Sequence, residues 1–337
     1  VNCRRKPVAL LVVATALVLA VVGVRIAARR YRDGARIPIG VDRVVIIPDG
    51  ASLTAAAAQI EEAGVIRDRR LLVALGRARK LDGRIRPGEY RFRGPATLDG
   101  LLDDLVAGRV VLHKVTIPEG LSLRQIARRV EEAGLGRADA LIRAASDQGL
   151  LRRLGIPGAT AEGFLFPDTY HFPRDIAAER VIEAMAGRFR QVWQDGLAAA
   201  AAARKESQLE LVTIASIVEK ETGVAAERPL VSAVIHNRLR AGIPLATDPV
   251  VIYGVAGFDG NLTRKHLETP GPYNVYLRKG LPPGPIASPG RASLDAAVNP
   301  APVDFLYFVS KNNGTHQFSR TLREHNQAVN RYQKGRG

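Results

Sequence analysis

The 337-residue chain has a single cysteine, Cys3. That excludes an intramolecular disulfide framework and any cysteine-rich metal site. Aromatic residues make up only 5% of the chain. The six histidines (113, 171, 236, 266, 316 and 325) show neither an HExxH motif nor any other ligand spacing, so no metal centre is expected. A GxSxG elbow, a P-loop and a dinucleotide fingerprint are all missing, and no cofactor is expected. Acidic residues are also in short supply: 33 Asp and Glu face 49 Lys and Arg, a net charge of +16. This balance favours an anionic partner, whether lipid headgroups or an acidic polymer, with a solvated basic surface as the plain alternative. None of the usual nucleic-acid modules accompanies the charge, so nucleic acid is not the expected partner.

Charge is missing altogether from residues 7–24, PVALLVVATALVLAVVGV. Such a run reaches the lower end of the length needed to span a bilayer. Arg4, Arg5 and Lys6 precede it, and Arg25, Arg29, Arg30 and Arg32 follow it. The run is long for a signal peptide, and Arg25 stands where a small-residue cleavage site would be needed. The expectation is an uncleaved anchor over 7–27, N-terminus inside, with the remainder exported.

Behind it, IPDGASLTAAAAQIEEAGVI (47–66) aligns without gaps on IPEGLSLRQIARRVEEAGLG (117–136), and about half of the positions are identical. A β-rich lead precedes each copy, RVVII or KVTI, and a Pro-acid-Gly turn follows. Ser52 and Ser122 stand where a helix N-cap belongs, and Gly64 and Gly134 where a left-handed C-terminal residue does. Each copy therefore reads strand–turn–helix, an internal repeat. RPGEYRF (86–92) reads as a turn and a strand. GFLFPDTYHF (163–172) concentrates scarce aromatics, either as a core plug or as a wall for sugar or peptide, with Asp168 in a turn. LAAAAAA (197–203) reads as a helical spacer.

LVTIASIVEKET (211–222) holds the most informative carboxylates. On a 3.6-residue period, Leu211, Ile214, Ala215 and Val218 form one stripe and Lys220 points to water. Glu219 and Glu221 fall at opposite edges of the apolar face. Apolar surroundings disfavour a charged carboxylate and prepare it for general-acid work near neutral pH; two solvated glutamates at a helix end are the alternative. Downstream, VSAVIHNRLRAG (231–242) is a helix ended by Gly242, and 304–332 reads strand, KNNG turn, strand, helix. Residues 267–290, rich in Pro, Gly, Asn and Tyr, form a long irregular loop of the kind that usually carries function. His316 and His325 read as structural or surface groups.

These segments taken in order carry a resemblance: IPEGLSLRQIA, EGFLFPDTY, ASIVEKET, NRL, TDPVVIYG, LETPGPYNVYLRKGLPPGPIASPG and LYFVSKNNGTHQFSRTLREHN. Over about residues 41–333 the chain resembles the endolytic murein transglycosylases of the MltG (YceG-like) family. The resemblance implies an α+β fold with an N-terminal transmembrane helix (7–27), a LysM-like module (41–112), a second related β/α unit with the aromatic segment (113–175) and a mixed α/β catalytic domain (176–335). It implies a single-pass protein of the cell inner membrane, its catalytic part periplasmic, acting on peptidoglycan glycan strands beside peptidoglycan synthases. The first glutamate of EKET, Glu219, would be the catalytic acid and base. Asp168, Thr247, Asp248, Tyr273 and Asn274 lie in the family's motifs and are candidates for holding substrate or shaping the cleft. The chain departs from the family at Ala246, where Gln is common, and at Val275, where Thr is common. Two other readings stay open: a wall-binding scaffold without catalysis, and a hydrolase that uses Asp248 or Glu221 as a second carboxylate.

Overall fold

The computed structural model describes Thr15, residues 18–26 and residues 36–334. Residues 18–26 are helical and exposed. Most of the uncharged run, and of the expected anchor 7–27, lies outside the described residues. Among those described, no helix is long and apolar enough to cross a membrane. The chain divides into two compact units, Val1–Leu112 and His113–Gly337.

In the first unit the repeat's lead forms β2 (Asp42–Ile47), after a short β1 (Arg36–Ile37). β2 pairs antiparallel with β3 (Gly88–Arg93), Val45 opposite Tyr90, while β1 pairs with β4 (Ala96–Thr97). Val45 and Ile47 point inward and Val44 and Ile46 outward, the two-residue alternation of a half-covered strand. Ser52 accepts the Ala55 N–H and starts α1 (Leu53–Glu62). α1 buries Leu53, Ala56, Ala57 and Ile60 along one face, with α2 (Arg69–Ala78) and α3 (Leu98–Ala107) completing the core. Tyr90 is fully covered, and its hydroxyl donates to the Arg86 carbonyl at 2.8 Å.

The second copy repeats this grammar. β5 (His113–Thr116) pairs antiparallel with β6 (Thr169–Phe172), and Ser122 and Gln125 form a reciprocal capping box on α4 (Leu123–Glu132). Gly64 and Gly134 take the left-handed conformation expected of them. α5 (Ala138–Ala144), α6 (Gln148–Leu154), α7 (Ala178–Gln194) and α8 (Ala198–Ala202) follow. Next come α9 (Gln208–Glu221), α10 (Arg228–Ala241), α11 (Asp248–Gly254), α12 (Arg264–Glu268) and α13 (Arg291–Val298). The hairpin β7 (Tyr307–Ser310) and β8 (His316–Ser319) and helix α14 (Leu322–Val329) close the unit. A single apolar cluster runs from Val115 and Ile126 through Phe189 to Ile214 and Leu294, so the strand–turn–helix copy and the later helices share one core. The architecture is mixed α+β, its sheets all two-stranded and antiparallel among the described residues.

Two local readings change. α9 is not amphipathic over its length: every residue from Leu211 to Val218 is buried. Its polar residues tolerate this because they are bonded internally. The Thr213 hydroxyl donates to the Leu209 carbonyl, and that of Ser216 donates to the Thr213 carbonyl while accepting the Ile286 N–H. In the aromatic segment, Phe164, Phe166 and Phe172 are buried, with Phe164 edge-on to Phe189 at 5.1 Å. The segment is a core plug and not a sugar-facing wall. Gly163 lets it seat: with φ +81°, it carries no β-carbon, which would stand 2.5 Å from Pro285.

Candidate active site

Glu219 lies in the last turn of α9, its side chain 7% exposed. Two segments converge on it. The turn Ile117–Gly120 is tied to the loop before α13 by the Gly120 N–H to the Ser288 carbonyl (2.9 Å) and the Ser288 N–H to the Leu121 carbonyl (2.8 Å). From that loop the Gly290 N–H donates to Glu219 Oε2 at 3.0 Å. The Arg228 guanidinium lies 3.9 Å from Oε1 and donates to Ser293 Oγ at 3.1 Å, so it is anchored near the carboxylate without clasping it. One oxygen of Glu219 thus has a fixed backbone donor, while the other has a cation at the edge of contact.

A second carboxylate reaches the same place. Glu119, in the Pro-acid-Gly turn of the repeat, passes so close to Gly290 that a β-carbon there would stand 1.9 Å from Glu119 Oε1. Partial burial and, next, the Glu219 charge hold the Glu119 carboxyl above its ordinary range, with Arg228 opposing. Turn chemistry alone accounts for an acid between Pro and Gly, which is why the sequence reading passed over Glu119. Its presence in IPEGLSLRQIA was the available signal.

The other candidates fall in three places. Asp248 opens α11 and accepts the Tyr276 hydroxyl at 2.6 Å. It faces Glu221, whose carboxyl is pushed up to about 7 by burial and then by the Asp248 charge. The raised carboxyl expected at the rim of the helix is Glu221. Thr247 is buried beside Asp248, its hydroxyl without a hydrogen-bond partner among the described residues. Asn274 is buried and organises the long loop: its amide donates to the His266, Leu267 and Thr269 carbonyls and its oxygen accepts the Tyr276 N–H. Tyr273 stands with Tyr253, ring centres 5.0 Å apart. Asp168 is apart from these. It accepts the Thr169 N–H and the Arg188 guanidinium, which hold its carboxyl below the usual range. The two departures from the family pattern touch each other: the Ala246 N–H donates to the Val275 carbonyl at 3.0 Å, with Ala246 at φ +48°.

Beside Glu219 opens a cleft of about 840 Å³. Gly120 and Lys220, which flank the Glu219 stem, line it together with Tyr253, Phe258 and Tyr273. Glu162 sits beneath it, fully buried, accepting the Leu123 N–H and the Tyr253 hydroxyl, and burial holds its carboxyl up to about 7. Among the described residues no cluster of His, Cys, Asp and Glu is arranged to hold a metal ion.

A carboxylate with one fixed backbone donor, beside a large open cleft, is the equipment of an acid–base enzyme for a bulky substrate. The YceG-like family matches residues 45–331, and the chain belongs to that family. An endolytic murein transglycosylase of Bacillus subtilis (strain 168) is 31% identical over 302 residues, covering 85% of this chain and 83% of that protein. One from Streptococcus pneumoniae serotype 2 (strain D39) is 28% identical over 298 residues, covering 78% of this chain, which spans about half (53%) of that protein. The crystal structure of a yceG-like protein of Listeria monocytogenes matches at a TM-score of 0.59 with 31% identity, over 86% of this chain and 99% of that one.

Proposed function

We propose that the chain is an endolytic murein transglycosylase, a lyase that cuts peptidoglycan glycan strands internally and leaves 1,6-anhydro-N-acetylmuramic acid ends. The observation that carries this reading is Glu219, largely buried, bonded to the Gly290 N–H and flanking the cleft, in a chain of this family. Glu219 in its acid form gives its proton to the glycosidic oxygen as the bond to C1 of the muramic residue breaks. The leaving N-acetylglucosamine then carries a 4-hydroxyl. The 6-hydroxyl of the same muramic residue closes on C1, and its proton returns to Glu219. No water is consumed, and the nucleophile is already held in the reacting sugar, so one carboxylate serves both steps. The Gly290 N–H fixes one carboxylate oxygen and leaves the other for the proton. Thr247, Asp248, Tyr273 and Asn274 would shape or line the cleft, and Asp168 would brace the turn that leads into β6.

The same reading makes residues 7–27 an inner-membrane anchor, with the catalytic part in the periplasm. Residues 41–112 become a LysM-like module, and the enzyme releases nascent strands beside their synthases. Glu119 favours a second reading, hydrolysis, because glycosidases that use water need a second carboxylate. Mass spectrometry of products from uncrosslinked glycan strands, with the full-length protein and its Glu219→Gln variant, tests both. Internal fragments with anhydro ends, absent with the variant, are expected. Reducing ends would overturn the transglycosylase in favour of the hydrolase, and equal cleavage by the variant would remove Glu219.

A further inference from the structure

Besides its tyrosines, the cleft is lined by cations. Arg124 and Arg128 project from α4 into the lining, and Lys220 joins them from α9. No aspartate or glutamate lines the cleft. Both arginines are exposed, and neither forms a salt bridge or a hydrogen bond among the described residues. Elsewhere in this unit arginines are routinely paired, as Arg188 is with Asp168 and Arg320 with Asp304. The acid that Arg124 acts on, Glu162, lies beneath the surface and is already engaged by the Leu123 N–H and the Tyr253 hydroxyl. Three cations around a concave surface with no acid in its lining raise the local concentration of an anionic ligand and favour its binding, although Arg124 also acts on the buried Glu162 carboxyl.

Spacing narrows the ligand. Residues four apart on a helix lie on one face about 6 Å apart along the axis. The two guanidiniums, with Lys220 from a second helix, therefore suit an oligoanion whose charges are several ångströms apart, and exceed what one isolated carboxylate needs. The sugar rings of a glycan strand are neutral, whereas the short peptide stems branching from its muramic residues carry several carboxylates. Resting on the function proposed above, we propose that the α4 wall binds the carboxylates of these stems, so that the protein selects stem-bearing strands. The strand would run past Glu219 and the stem would lie along Arg124 and Arg128, with the aromatic wall covering its apolar side.

The test is equilibrium binding to the full-length protein carrying Glu219→Gln, which separates recognition from cleavage. Three ligands of matched length are compared: stem-bearing strands, strands stripped by an amidase so that only the lactyl carboxylate remains, and neutral N-acetylglucosamine oligomers. Stem-bearing strands are expected to bind about tenfold more tightly than stripped ones. That preference should vanish when Arg124→Gln and Arg128→Gln are added, and should shrink at high salt as the charges are screened. Both arginines are exposed, so an unchanged melting temperature serves as the folding control. Equal affinity for stem-bearing and stripped strands would overturn the proposal, and a gain over neutral oligomers common to both would assign the wall to the lactyl group. A preference that survives the double substitution would also overturn it, as would displacement of strands by inorganic pyrophosphate at lower concentration than by free stem peptide. Should the wild-type protein cleave nothing while the preference persists, the proposed activity fails and the stem site stands.

Discussion

Glu119 and Glu219 approach the same residue from two segments distant in sequence. The Gly290 N–H holds Glu219 Oε2 at 3.0 Å, and a β-carbon on Gly290 would stand 1.9 Å from Glu119 Oε1. Gly290 is therefore the point where the Pro-acid-Gly turn of the repeat meets the end of α9. Its φ of −76° and ψ of 172° are open to any residue, so the glycine answers to close approach and not to backbone freedom.

That makes Gly290→Ala a clean probe. The atoms nearest the new methyl all belong to the tip of a flexible side chain, which can swing away, so Glu119 should be displaced while the fold persists. Gly290 is also the N-cap of α13, where alanine is a poor substitute, and the stability cost should be about 1 kcal/mol or less. If Glu119 contributes to turnover, Gly290→Ala should lower kcat to the same degree as Glu119→Gln. Wild-type kcat in both variants would show that Glu119 is idle.

The pair also predicts a titration effect at Glu119. Partial burial and then the Glu219 charge hold the Glu119 carboxyl above its ordinary range. Replacing Glu219 with glutamine removes the second of these causes, so Glu119 should release its proton at lower pH than in the wild type. A carboxyl-resolved NMR titration of the two proteins reads this directly, and a Glu119 that titrates alike in both would mean that the Glu219 charge does not reach it.

Glu221 predicts a stability effect of defined sign. An ordinary glutamate loses its proton near 4.5, whereas Glu221 holds its proton up to about 7, through burial and then the Asp248 charge. Between those values the unfolded chain has released a proton that the folded chain retains. Stability therefore falls as pH rises through this window and levels off above it. The cost at pH 8 is on the order of 3 kcal/mol. Glu221→Gln should melt close to wild type at pH 4.5 and above it at pH 8. Parallel melting curves for the two proteins across the window would contradict the burial argument.

The elements that sequence patterning made legible are those fixed locally. The serine caps at 52 and 122, the left-handed glycines at 64 and 134 and the β7–β8 hairpin each depend on a few neighbouring residues, and all stand where local chemistry puts them. The helical period puts Glu219 and Glu221 alike at the rim of α9, and the resemblance of EKET to the family's motif is what singles out Glu219. What surrounds it is not legible in this way: Gly290, Arg228 and Glu119 lie in three other segments and meet it only through tertiary packing. The full burial of α9 was hidden for the same reason, since α10 and α13 cover faces that a single helix cannot know will be covered. Asn274 shows a role that a motif alone does not specify. A buried polar residue there can hold substrate or shape the cleft, and its amide hydrogen bonds are made to the chain's own loop.

The remaining prediction concerns what holds the end of α9 in place. Thr222 ends that helix, and its hydroxyl donates to Glu227 Oε2 at 3.2 Å. The same carboxylate accepts the His316 N–H at 2.8 Å and bonds the His316 ring at 2.7 Å, joining the β7–β8 hairpin to the helix that carries Glu219 and Glu221. Burial opposes the charge on Glu227, but these bonds to His316 and Thr222 outweigh it and keep the carboxyl below its ordinary range. Its contribution is therefore present above the ordinary glutamate range and lost as the solution is acidified through the lowered value. Glu227→Ala leaves a largely buried imidazole and a backbone N–H without their acceptor, and should cost about 2–4 kcal/mol at neutral pH. Glu227→Gln keeps an acceptor and should cost less. Hydrogen exchange separates this from general damage: amides in β7 and β8 should lose protection first, and those of α4 last. Uniform loss across the unit, or a melting temperature unmoved by the alanine substitution, would show that the hairpin is held by its apolar contacts alone.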